Sequence, residues 1–159
     1  MAHPAVTLRP ARAGDAQAMA VMSRDFIESG LGWRYSPARI TRIMAERDTM
    51  ALVACDAAGV QGFALMQFGD ERAHLLLMCV QPAQRRLGLG RRLIEWLVES
   101  AQVAGIASIH LELRADNHAA FDFYRRMGFA ETFVVPGYYG GRIAARRMLR
   151  LLRAPVRPR

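Results

Sequence analysis

The chain has 159 residues, 52% of them hydrophobic, enough to bury one full core. Its net charge of +8 rests on arginine alone, because the sequence contains no lysine, and that absence excludes a Gly-Lys-Ser/Thr phosphate loop. No apolar run approaches the roughly 18 residues of a membrane span, and Met1 to Pro10 lacks a signal-peptide core, so a soluble cytoplasmic protein without membrane contact is expected.

Val6 to Arg9 reads as a short strand. Asp15 can cap a helix carrying Ala18, Val21, Met22 and Phe26, which Gly30 to Gly32 breaks. Ser36 and Pro37 read as the cap and first residue of a second helix, to about Glu46. Met50 to Cys55 and Val60 to Phe68 are strand-like runs joined by the hairpin signal Asp56-Ala57-Ala58-Gly59. Arg72 to Val80 is a third long strand, stopped by Pro82. Cys55 and Cys79 lie in such apolar runs and read as reduced core thiols rather than a disulfide. No Cys and His cluster has metal-ligand spacing, so no metal is expected.

Gly88 to Gly105 is a helix bounded by glycine at both ends. Ile106 to Leu113 alternates, with Ile109, Leu111 and Leu113 on one face and His110 and Glu112 on the other. Asp116 or Asn117 caps a helix that ends at Met127-Gly128. Strands over Glu131 to Val135 and Ile143 to Leu152 flank a turn at Tyr138-Tyr139-Gly140-Gly141. Seven arginines and no acid lie from Arg142 onward, so the basicity belongs to the C-terminus and not to a domain face. No aromatic residues interleave with those arginines, which favours a solvated last strand and a frayed end over a nucleic-acid contact. The element order predicts an α/β fold, a mixed sheet with helices on both faces, in a single domain over residues 1–153. An Arg/Pro-rich, disordered tail is expected over residues 154–159.

The richest segment is Arg85-Arg86-Leu87-Gly88-Leu89-Gly90, which follows a strand and opens a helix. Unpaired N–H groups at a helix start form a ready anion site. A dinucleotide fingerprint is excluded, since position 93 is Leu instead of a third glycine and six residues, Gln81 to Arg86, intervene after the strand instead of a tight turn. Gly-x-Gly alone is equally read as a plain turn. Downstream, however, stand Leu111-Glu112-Leu113-Arg114, Asn117, Ala120, Tyr124 and Gly128-Phe129, with Val80 and Pro82 leading into the loop. Together these resemble the GNAT superfamily of acyl-CoA-dependent N-acetyltransferases, and within it the ribosomal-protein alanine N-acetyltransferases. The likeness is strong over Leu75 to Phe129 and looser from Val135 to Leu152.

The resemblance implies a central, mostly antiparallel sheet with a splayed parallel pair at the acyl-CoA site. It implies acetyl-CoA as co-substrate, with its pyrophosphate on the main chain of Arg86, Leu87, Gly88, Leu89, Gly90 and Arg91. Arg85, Arg86, Arg91 and Arg92 add charge-assisted bonds. Met78, Cys79 and Val80 would lie along pantetheine and supply oxyanion donors, and Asn117 would bond the same arm. Glu112 matches the general base and Tyr124 the general acid. A Cys79 nucleophile is disfavoured, because the family transfers the acyl group directly. From the residues alone, Tyr124 also reads as core packing, Glu112 as a solvated carboxylate or an ion pair with Arg114 or His110, and Asn117 as a simple cap. His110 reads as a surface or core residue, with a proton-shuttle role as the alternative.

The acceptor site implied by the resemblance takes Trp33 and Tyr35 from the segment between the first helices and Tyr138 and Tyr139 from the turn before the last strand. These aromatics equally read as packing for the helix pair. The partner is then an amine: a protein N-terminus first, a small-molecule amine second. A non-catalytic acyl-CoA-binding module is the alternative of a different class, and a homodimer stays open.

Overall fold

The structure, a computed structural model, describes residues 5–153; the tail expected to be disordered, 154–159, lies outside the described residues. Seven strands form one sheet: β1 (Thr7–Pro10), β2 (Thr49–Asp56), β3 (Gly59–Phe68), β4 (Arg72–Val80), β5 (Ser108–Arg114), β6 (Ala130–Tyr139) and β7 (Ile143–Leu151). Their spatial order is β1-β2-β3-β4-β5-β7-β6. Every neighbouring pair is antiparallel except β4 and β5, which run parallel.

The helices are α1 (Ala16–Met22), α2 (Pro37–Met44), α3 (Leu89–Val103) and α4 (His118–Arg126). In α3 the buried residues Leu89, Leu93, Ile94, Leu97, Val98 and Ala101 fall on one stripe, as helical periodicity requires. That stripe and Tyr124 of α4 pack on Ile109, Leu111 and Met148 to form one core. Across the sheet, Met19 and Ala20 of α1 and Ile40 of α2 pack on Phe63, Leu65 and Leu77 to form a second. Helices therefore cover both faces, as the element order predicts. Ser36 caps α2 by accepting from the Arg39 N–H at 3.3 Å, with Pro37 in the first turn.

Two elements depart from their sequence expectations. The first helix stops at Met22 and widens over Ser23–Ile27 into a turn in which the Glu28 N–H bonds the Ser23 carbonyl, five residues back, at 2.7 Å. Such wide turns redirect a helix end. The strand expected to stop at Val135 continues as β6 to Tyr139, with an irregular register around Pro136 and Gly137. Proline is tolerated there because β6 is an edge strand. Tyr138 and Tyr139 thus lie on the strand, and the turn is carried by Gly140 to Arg142.

One irregularity positions the site. β4 and β5 pair only from Arg72↔Ser108 to Leu75↔Leu111. Beyond that, β4 continues with β3 to Val80 and β5 continues with β7 to Arg114, so the parallel pair opens into a fork. At the branch point β3 residues Leu65 and Met66 pair with Leu77 and Leu75, leaving Leu76 as an extra residue. A bulge of this kind bends a strand and shifts its side-chain alternation by one. Accordingly Ala73 and Leu75 face the α3 core, while Leu77 and Cys79 face the α1 core.

Candidate active site

Beyond the branch point, one edge of β4 is bonded to β3 and the other borders the fork. The Gln81 N–H donates to the Gln61 carbonyl at 2.8 Å, so strand alternation directs the Cys79 amide toward β3 as well. The intervening Met78 and Val80 then turn their N–H and C=O groups into the fork. Unpaired main chain lining an opening is what an extended amide-bearing ligand can pair with. Of the three strand residues expected at the site, Met78 and Val80 border the fork and Cys79 faces away. Its thiol packs in the α1 core, and burial pushes it up to about 12 against the smaller opposing effects of Arg85 and the Val80 amide. A thiol so hard to ionise is no nucleophile at neutral pH.

The loop after β4 is shaped by two left-handed residues, Arg86 (φ 66°) and Gly88 (φ 82°). Only glycine adopts that backbone without strain, so Gly88 sets the turn into α3. The first intrahelical bond runs from the Arg92 N–H to the Gly88 carbonyl, which leaves the N–H groups of Leu89, Gly90 and Arg91 without helical acceptors. Gly90 serves a different purpose: a Cβ there would lie 3.0 Å from the Phe123 ring, so its absence lets α4 close onto α3. Leu89 is buried and offers the site only its main chain. Arg85, Arg86, Leu87 and Arg91 are exposed around the loop. Arg92 is also exposed, and one of its guanidinium N–H groups donates to the carbonyl of Val6, just before β1, at 3.0 Å.

At the fork, Glu112 on β5 reaches across to β4. Its Oε2 lies 2.5 Å from His74 Nε2, and its Oε1 lies 3.3 Å from Arg147 Nε of β7. That arginine N–H is not aimed at the carboxylate and remains without an acceptor, so Arg147 contributes charge rather than a hydrogen bond. Burial alone would raise the Glu112 carboxyl, but the His74 hydrogen bond and the charges of His74, Arg147 and His110 outweigh it and hold it below its ordinary value. The carboxylate is ionised at neutral pH. His110, the shuttle candidate from the sequence, instead shares a 2.8 Å hydrogen bond with Ser108 Oγ. Residues i and i+2 of one strand stand side by side, whereas His74 lies on the neighbouring strand, where β4 and β5 still pair, and closes on Glu112 directly. His74 was not legible as a site residue in the sequence; the only signal for it is the register that sets it against His110.

Tyr124 is buried on α4, edge-to-face with Phe123 and Phe129 at 5.2 and 5.5 Å between ring centroids. Its phenol is pushed well up by burial, then by Cys79 and Tyr139, and stays protonated. Tyr139 is likewise raised by burial, then by Tyr138, Glu112 and Tyr35. Tyr139 of β6 is therefore the shared electrostatic neighbour of Tyr124 on α4, Glu112 on β5 and Tyr35 before α2, and its ring meets that of Tyr138 edge-to-face at 4.9 Å. Asn117 caps α4 through Oδ1, which accepts from the Ala120 N–H at 3.1 Å; its side-chain amide nitrogen is not used in that bond.

Trp33 is held against the first helix. Its Nε1 donates to the Ala20 carbonyl at 3.1 Å, and Arg24 stacks on the ring at 5.1 Å, which anchors it to the flank of α1. The segment is organised by Glu28, a residue the sequence did not single out. This buried carboxylate accepts from Ser23 Oγ at 3.0 Å, from the Arg34 N–H at 2.7 Å and from the Tyr35 N–H at 3.3 Å. Arg114 adds a bond to the Ser29 carbonyl at 2.6 Å, and Arg39 covers the Tyr35 ring at 4.5 Å.

Comparison with known proteins is consistent with this geometry. Over 77 residues the chain is 39% identical to the [ribosomal protein bS18]-alanine N-acetyltransferase of Escherichia coli strain K12, a match that spans 48% of this chain and about half (52%) of that relative. The crystal structure of Ard1 from Thermoplasma volcanium superposes with a TM-score of 0.82 at 26% identity, covering 94% of this chain and 99% of that one. NAA60 of Arabidopsis thaliana, solved in complex with acetyl-CoA, shares the fold with a TM-score of 0.81 at 18% identity, covering 92% and 98% of the two chains. The family model for the acetyltransferase (GNAT) family matches residues 20–129, and the chain belongs to that family.

Proposed function

We propose that the domain transfers an acetyl group from acetyl-CoA directly to a primary amine, with a protein N-terminal amine as the acceptor. The observation that carries this reading is the fork that opens between β4 and β5 past Leu75 and Leu111, bordered by Met78 and Val80, with Glu112 held against His74 at its branch point. The bS18-alanine N-acetyltransferase relative supports the choice of acceptor, and Tyr35, Tyr138 and Tyr139 supply the aromatic wall for a peptide end.

The fork and loop fit the co-substrate. The N–H groups of Leu89, Gly90 and Arg91, at the positive end of α3, would hold the pyrophosphate, with Arg85, Arg86 and Arg91 adding charge from its rim. Met78 and Val80 would pair with the pantetheine amides and offer N–H groups to the thioester oxygen as it gains charge. Glu112, ionised at neutral pH, attracts the incoming ammonium and takes the proton that must leave before nitrogen can attack. A C–N bond forms as the C–S bond breaks. Tyr124, kept neutral by burial, gives its proton to the departing sulfur and is reprotonated by the second proton that the new amide nitrogen must lose.

A thiol-release assay with short peptides beginning Ala, Ser or Met, set beside polyamines and free amino acids, tests both catalysis and acceptor class. The expected outcome is acetyl-CoA-dependent thiol release with a peptide, and with at least one N-terminal residue favoured. Release with small amines alone would move the acceptor to that class; no release with any amine would defeat the reading.

A further inference from the structure

The segment between α1 and α2 is pinned beside Glu112 by contacts with two other elements. Arg114, two residues beyond Glu112 on β5, donates to the Ser29 carbonyl at 2.6 Å. On the turn between β6 and β7, the Gly140 backbone comes so close that a Cβ there would lie 3.9 Å from Leu31 Cδ2. Segment and turn are thus adjoining walls, and their charges are unbalanced. The acids nearby are all engaged: Glu28 by the Ser23 hydroxyl and the Arg34 and Tyr35 N–H groups, Glu112 by His74, and Asp116 by Arg114 at 3.2 Å. The arginines are not. Among the described residues, Arg34, Arg39 and Arg142 are ion-paired with no carboxylate.

Arg39 is the most constrained of the three. Its guanidinium lies over the Tyr35 ring at 4.5 Å, and one N–H donates to the Arg34 carbonyl at 3.2 Å. These contacts hold the planar group in place on a half-buried side chain, while its remaining N–H groups find no acceptor among the described residues. A guanidinium fixed against an aromatic face with its fork open is preorganised to take a carboxylate through two parallel bonds. Arg34 and Arg142 are exposed and always charged, so they extend the positive field around that fork.

We propose that the acceptor is a peptide N-terminus followed by an acidic side chain, and that Arg39 is the residue that binds this carboxylate. The proposal rests on the acetyltransferase reading above and narrows its acceptor. The amine must sit at Glu112, and Arg39 is not among the principal charges acting on Glu112 or Tyr139, whereas it is the leading charge on Tyr35. The fork therefore lies one step outward from the base. The carboxylate belongs to the second or third residue of the peptide and not to the one that is acetylated.

The test uses amidated peptides that share the N-terminal residue most readily acetylated and carry Glu, Gln or Lys at the second or third position. The expected kcat/KM of the unsubstituted protein is about tenfold higher for a glutamate peptide than for its glutamine counterpart. Lysine should be poorest, and the gap should narrow as salt rises. Arg39→Gln should remove the glutamate preference and Arg39→Glu should turn it toward lysine, with the acetyl-CoA-induced rise in Tm showing that both variants are folded. Equal kcat/KM for glutamate and glutamine peptides in the unsubstituted protein overturns the proposal without recourse to a variant. A glutamate preference that survives both substitutions, or a loss that falls on KM for acetyl-CoA instead, overturns the role of Arg39. Peptides acetylated without regard to charge leave the acetyltransferase reading standing, whereas a protein that acetylates no peptide defeats its acceptor and this proposal together.

Discussion

The proposed cofactor side and acceptor side of this site are built in different ways. On the cofactor side, Met78 to Arg91 form one continuous stretch: a strand, a turn with two left-handed residues and the first turn of α3. The turn from Arg86 to Gly88 is set by neighbours in sequence. On the proposed acceptor side, Tyr35, His74, Glu112, Tyr124 and Tyr139 come from five separate parts of the chain, and only strand pairing brings His74 to Glu112. The first side is a local motif presented by the fold; the second exists only as a product of it. Damage to a single residue should therefore have different reach on the two sides, affecting turnover or acceptor binding on one and cofactor retention on the other.

The largest expected effect is on the acceptor side. Glu112→Gln should lower kcat by roughly a hundredfold while the thermal stabilisation by acetyl-CoA stays intact, since the cofactor loop does not involve this carboxyl. The pH profile of the unsubstituted protein sharpens the point. Because the folded Glu112 lies below its ordinary value of 4.5, the acid limb of kcat/KM that belongs to it should fall below that value. The stability it contributes is complete above the ordinary carboxyl range and is lost as pH drops through the lowered folded value. An acid limb above 4.5 from this group would contradict the ion pair with His74.

Glu28→Ala should release the segment bearing Tyr35, because it leaves the Arg34 and Tyr35 N–H groups and the Ser23 hydroxyl without their acceptor, at a cost of about 2 kcal/mol. The measurable split is a higher KM for the amine with an unchanged KM for acetyl-CoA. Equal loss of both would mean that Glu28 supports the whole domain instead of one side. Gly90→Ala should act the other way. The new Cβ would meet the Phe123 ring at 3.0 Å and push α4 from α3, for about 1–2 kcal/mol of stability. It should weaken the acetyl-CoA-induced rise in Tm with little change in amine selectivity.

The legibility of these features in the sequence follows the same division. The alternation of Ile109, Leu111 and Leu113, the Ser36-Pro37 helix start and the stripe of α3 are local periodicities, and each appears in the structure where the pattern puts it. The turn glycines were visible too, but their separate reasons were not: Gly88 is required by its own backbone, Gly90 by a ring thirty-three residues away. His110 was the visible histidine near Glu112, and His74, thirty-eight residues distant, is the one that bonds it. The bond from the Trp33 indole N–H to the Ala20 carbonyl of α1 is equally invisible to a local pattern.

The sequence by itself determined the elements, their order, the two-faced sheet and the loop with its unpaired N–H groups, because hydrophobic period and backbone chirality act over a few residues. Tertiary structure decided the rest. A one-residue bulge at Leu76 accompanies the fork between β4 and β5 and turns Cys79 into the core. Parallel register then brings His74 to Glu112, a contact that depends on how two strands slide past one another and that no local pattern encodes.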